Sequence, residues 1–179
     1  GKSWSFHVKS IMDNTLEENL AMIADSVAFL KASGREVIYD AEHFFDGFKD
    51  SPDYALETLA AAASVGADFV VLCDTNGGTL PQEVESIVHS VTADLKRRFG
   101  DADNPKLGIH THNDCGMAAA NAIAAINCGA VMVHGTINGY GERCGNADLT
   151  TIIPILKMKM GYDCISDANL ARLKNLSRF

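Results

Sequence analysis

His110-Thr111-His112 closes the short run Lys106-Leu107-Gly108-Ile109, whose composition suits a β-strand. Side chains two residues apart on a strand point to the same side, so both imidazoles are expected to aim at one place. Paired imidazoles are ligand geometry for a divalent cation. A bare HxH pair more often marks two polar surface histidines. Here the pair ends an apolar strand, Asn113 and Asp114 follow directly, and other polar clusters stand at equivalent strand ends, which turns the reading toward a metal. Asn146, in Gly145-Asn146-Ala147, offers an amide oxygen that would extend the set, although Asn beside Gly is as readily a turn former. Two neutral imidazoles and an amide leave a dication short of negative charge. A carboxylate ligand is therefore expected, outside this chain.

Other polar side chains fall at strand ends. Glu42 is placed to orient a substrate or exchange protons, the alternative being an exposed strand-end charge. Thr75 can present a hydroxyl to a substrate carboxylate, while Asp74 beside it can instead cap the helix region near Pro81. His7 and Lys9 are candidates by position alone, and Cys144 is a reactive thiol only if its surroundings lower its pKa. Met12, Met22, Met117 and Met158 read as core.

The elements that must position these groups alternate. Residues 4–8 (WSFHV) read as a strand. Leu16, Leu20, Ile23, Val27 and Leu30 recur at helical spacing as far as Gly34. Strands are expected at 36–40, 68–73, 106–110 and 130–134. Helices follow from Pro52, with Ser51 as N-cap, from Pro81, and from Asp114 as N-cap through Asn127. Two more are expected over 149–160 and from Asp167 onward, and residues 100–105 read as a polar surface loop. Strand–helix alternation implies a parallel sheet. A doubly wound sheet would show a Gly-rich phosphate turn, and no GxGxxG follows any strand. Polar clusters after several strands instead favour a (β/α)₈ barrel. Five strands cannot close one, so three are expected N-terminal to this chain.

At 179 residues, 47% apolar and 21% charged, the composition is that of a globular domain. A net charge of −8 argues against nucleic-acid binding. Lys96, Arg97 and Arg98, the only tight basic group, suit the end of a helix. No apolar run approaches the roughly 20 residues of a membrane span, and no signal peptide is visible. Five cysteines without CxxC spacing fit free thiols in a reducing cytoplasm.

Three motifs carry a family resemblance: HTHNDCGMAAANAIAAINCGA at 110–130, TINGYGERCGNADL at 136–149 and LCDTNGGTLPQEV at 72–84. Together they resemble the isopropylmalate, homocitrate and citramalate synthases, metal-dependent acyltransferases of the HMG-CoA-lyase-like superfamily. EHFFDG at 42–47 and SWSFHV at 3–8 resemble the citramalate-synthase-like branch more. The resemblance implies the C-terminal five βα units (strands 4–8) of a TIM barrel over residues 1–160, with a C-terminal helical extension starting at 161–179. It implies a divalent metal, Mg or Mn first and Zn as the alternative, on His110, His112 and Asn146. Glu42, Thr75 and His110 become the catalytic candidates, and His7, Glu42, Thr75 and Asn138 the substrate contacts. The implied reaction condenses acetyl-CoA with a 2-oxo acid, pyruvate or 2-oxoisovalerate, in a cytoplasmic homodimer of branched-chain amino-acid biosynthesis. The family's Arg-Asp segment is absent from this sequence, so the chain alone is expected to be inactive. A lyase or aldolase of the same superfamily, or a non-catalytic barrel piece, are the competing readings.

Overall fold

The structure, a computed structural model, describes residues 1–100 and 104–178. Part of the expected 100–105 loop, and the last residue of the expected final helix, lie outside them. Four strands, β1 (Ile38–Ala41), β2 (Phe69–Asp74), β3 (Lys106–Thr111) and β4 (Met132–His134), form one sheet in the order β1-β2-β3-β4, every pair parallel. Strand order follows chain order without reversal. That is barrel-type winding, whereas a doubly wound sheet has a point where the order turns back.

The strand expected at 4–8 is a helix, α1 (Ser5–Ser10). Trp4, Phe6 and Val8 alternate in the sequence, but only Val8 is buried and Phe6 is 51% exposed, so no sheet face uses that alternation. The Trp4 carbonyl accepts from the Val8 N–H at 3.2 Å, a helical bond. The strand-like contact comes earlier. Gly1 and Ser3 exchange backbone hydrogen bonds with Glu42, and Lys2 pairs with Glu42 in a parallel bridge. Among the described residues the sheet therefore has four strands rather than five.

Helices cover the sheet. α2 (Leu16–Ala32) opens with a capping box between Thr15 and Glu18 and buries Asn19, Ile23 and Val27 at a four-residue spacing. α3 (Phe44–Asp50) puts Phe44 and Phe45 into the core. α4 (Pro52–Ser64) starts on Pro52, but Ser51 makes no side-chain cap bond. In α5 (Pro81–Phe99), Val84, Ile87, Val88, Val91 and Leu95 form the buried stripe and Lys96, Arg97 and Arg98 occupy the last turn. α6 begins at Ala118 and ends at Asn127, so Asp114 is not its cap; Asn113 Oδ1 accepts the Ala118 N–H at 3.2 Å. The helix expected over 149–160 is α7 (Leu149–Pro154) followed by a wider π turn over 155–159. α8 (Asp167–Leu176) completes the chain. β2, the central strand, is buried at all six positions, as a strand covered on both faces must be.

Candidate functional site

The C-terminal ends of the strands hold the polar side chains. His110 is the penultimate residue of β3 and His112 follows the strand directly, their ring centroids 5.2 Å apart. The loop after β4 is stitched onto this strand end. Asn113 N–H donates to the Gly145 carbonyl at 2.9 Å, and Ala147 N–H to the Thr111 carbonyl at 3.0 Å. Those two bonds flank Asn146 and fix it opposite His112. A side chain at position 141 would collide with the Asn146 amide, so Gly141 lets the loop fold that tightly. Arg143 clasps the mouth from above. It donates to both Asp114 carboxylate oxygens, at 2.8 and 2.9 Å, and to the Thr75 carbonyl at 2.6 Å.

Glu42, Thr75, His110, His112 and Asn146 all line one open cavity of about 480 Å³. Thr75 Oγ1 accepts the His43 N–H at 2.8 Å, which leaves its own proton to be donated. Partial burial opposes ionisation of Glu42, but the hydrogen bond and charge of Lys2, 2.7 Å away, outweigh it and lower its pKa. Burial, reinforced by His112 and His134, lowers the pKa of His110, which keeps its imidazole neutral, the form that ligates a metal.

Two expected contacts lie elsewhere. His7 stacks on Trp4 and meets His43 edge-on at 4.2 Å, outside the cavity lining. Asn138, in a left-handed conformation at φ 60°, donates to the Ser177 carbonyl at 3.1 Å. The structure also brings in groups that sequence reasoning passed over. Asp40, Cys73 and Glu142 line the same cavity. Asp40 stands two residues before Glu42, so the same-side rule applied to His110 and His112 would have found it. His134 faces His110 through the β3–β4 register, which no local pattern reveals. Cys73 is buried and its thiol pKa is pushed up, so it stays protonated. Cys144 is exposed and does not line the cavity.

The residues fit a cation on their own chemistry. His112 Nδ1, Asn146 Oδ1 and Asp40 Oδ1 are buried atoms with no hydrogen-bond partner. Orphaned polar atoms cost about 1–3 kcal/mol each, so three at one mouth mark a place built for a ligand. Asn146 Nδ2 donates to the Tyr140 carbonyl at 3.2 Å, which leaves the amide oxygen as the free acceptor. No described helix is long and apolar enough to cross a membrane.

The family model described as HMGL-like matches residues 2–179. The (R)-citramalate synthase of Synechocystis sp. is 54% identical over 178 residues, which cover 99% of this chain and 32% of that protein. The homocitrate synthase of Sulfolobus acidocaldarius is 35% identical over 170 residues, covering 95% of this chain and 34% of that protein. The chain thus spans about a third of the length of the curated relatives it matches. In fold it is similar to the HMG-CoA lyase of Bacillus subtilis, with a TM-score of 0.78 at 19% identity, covering 99% of this chain and 59% of that one. The chain belongs to the HMGL-like family.

Proposed function

We propose that the intact protein condenses acetyl-CoA with a 2-oxo acid, pyruvate first, to give citramalate and free CoA. The observation that carries this reading is the convergence of Glu42, Thr75, His110, His112 and Asn146 on one cavity at the C-terminal ends of the strands. The 54% identity to proteins named (R)-citramalate synthase directs it to pyruvate, ahead of 2-oxoisovalerate.

His110, His112 and Asn146 would hold a divalent metal, Mg or Mn with Zn as the alternative. When bound, the metal supplies Lewis acidity toward the ketone and charge stabilisation as the oxygen gains electrons. The chain's own groups do the rest. The neutral imidazole of His110 and the free Asn146 amide oxygen offer lone pairs, and the Arg143 clasp holds the loop that carries Asn146. The Thr75 hydroxyl has its acceptor side filled by His43 N–H, so it donates to the carboxylate of the 2-oxo acid. Glu42 stays ionised and accepts hydrogen bonds from substrate, with Lys2 balancing its charge. In the reaction the thioester methyl loses a proton, its carbon bonds to the ketone carbon, the ketone's π pair moves to its oxygen, which takes up a proton to become the hydroxyl, and water cleaves the thioester to release CoA.

Residues 1–160 belong on this reading to the C-terminal five units of the catalytic barrel, strands 4–8, with Gly1–Ser3 ending the first of them. Residues 161–179 begin the helical extension, and the intact protein is a cytoplasmic homodimer. The test is thiol release from acetyl-CoA by the intact protein with metal, and detection of citramalate by NMR. Release with pyruvate supports the reading. No release with pyruvate, 2-oxoisovalerate or 2-oxoglutarate overturns it, and cleavage of hydroxymethylglutaryl-CoA would put a lyase in its place.

A further inference from the structure

The geometry points to a second divalent-cation site, held by Asp40, His110 and His134, that takes a borderline-soft ion such as Zn²⁺. It goes beyond the condensation reading; the two ligand sets share His110, whose neutral imidazole has one free lone pair and so serves one ion at a time. His110 and His134 are register partners on β3 and β4, so their side chains leave the sheet on the same face. Their Nδ1 atoms lie 3.4 Å apart, with the rings near perpendicular at 81°. Asp40 reaches across from β1, its Oδ1 3.7 Å from His134 Nδ1. One ligand atom from each residue lies within 4.8 Å of the other two.

Distances decide between a hydrogen-bonded relay and a cation site. Bonds from N–H to O cluster near 2.9–3.0 Å, so 3.4 Å is at the limit for such a bond and 3.7 Å is beyond it. Zn–N and Zn–O bonds of about 2.0–2.2 Å, set at the tetrahedral angle, separate neighbouring ligand atoms by about 3.3–3.6 Å. The His110–His134 spacing falls within that range and the Asp40–His134 spacing just above it, which suits ligands around an ion at least as well as a donor and its acceptor. Asp40 Oδ1 is buried without a hydrogen-bond partner, which leaves its lone pairs available to a cation. Two imidazoles and one carboxylate suit Zn²⁺ or Co²⁺, whereas Mg²⁺ prefers an all-oxygen, largely hydrated shell. Three protein ligands leave the fourth position open to the cavity that Asp40 and His110 both line.

Two measurements on the intact protein test this. Diffraction from Zn²⁺-soaked crystals at the zinc absorption edge should place an anomalous peak at bonding distance from Asp40, His110 and His134. A peak confined to the His112–Asn146 side overturns the second site and leaves the condensation reading standing. In chelator competition, His134→Gln and Asp40→Asn should each weaken Zn²⁺ binding by about tenfold or more. Zn²⁺ bound by His134→Gln as tightly as by the unsubstituted protein overturns the proposal. The soaked crystal needs no substitution and stands even if one variant fails to fold.

Discussion

The two ends of the parallel sheet solve opposite problems. At the N-terminal end, Asp68 leads into β2, and its carboxylate accepts from Lys31 Nζ and from the Val37 N–H, both at 2.7 Å. That carboxylate is spent on joining α2 to the strands. At the C-terminal end, His112 Nδ1, Asn146 Oδ1 and Asp40 Oδ1 are buried without a hydrogen-bond partner. A fold under selection for stability alone would satisfy or remove such atoms, because each costs more than a surface substitution gains. The contrast is between a carboxylate satisfied within the chain and three polar atoms at the mouth that are not.

The sharpest way to break this contrast is His112→Ala. It should lower the rate of CoA release by about 10³-fold or more, equivalent to about 4 kcal/mol, with an unchanged melting transition. A melting temperature that falls along with activity would make His112 a structural residue. Next in size is Ile109→Ala, between the two histidines' strand and the helices, where the side chain is fully buried. It should cost about 2–5 kcal/mol in urea unfolding, the range for truncating a core aliphatic residue. Asn146→Ala should weaken metal binding by about 10–100-fold in a competition assay while leaving the unfolding midpoint in place.

The smallest effect belongs to the other end. The Lys31 and Val37 hydrogen bonds hold the Asp68 pKa below its ordinary value. A depressed folded-state pKa contributes stability above the unfolded value of about 3.9, and that contribution is lost as pH falls through the lower folded value. Asp68→Asn should therefore lower stability at pH 7 by about 1 kcal/mol or less, because the pair is partly solvated, and should flatten the acid-side loss of stability below about pH 4. Activity per folded molecule should not change.

Local spacing made the proposed metal-side residues readable. His110 and His112 sit two apart on an apolar strand, and Asn146 stands between a glycine and an alanine in a loop after the next strand. The Asp40–His134 pairing was not readable, because it depends on register and sheet curvature across strands 94 residues apart in sequence (134 − 40 = 94). The strand expected at 4–8 failed for a related reason. Alternating Trp4, Phe6 and Val8 imitate a strand, while the true strand contact, Gly1 to Ser3 against Glu42, is secured by a partner 39 or more residues away. Asp114 resembled a helix cap by position, yet its carboxylate is held by Arg143, which approaches from 29 residues along the chain.

Electron paramagnetic resonance of Mn²⁺ added to the intact protein tests the central claim most directly, since bound and free Mn²⁺ give distinct spectra. The account predicts saturable binding that His112→Ala and Asn146→Ala each weaken by about tenfold or more. Equal Mn²⁺ affinity in both variants and the unsubstituted protein would contradict it.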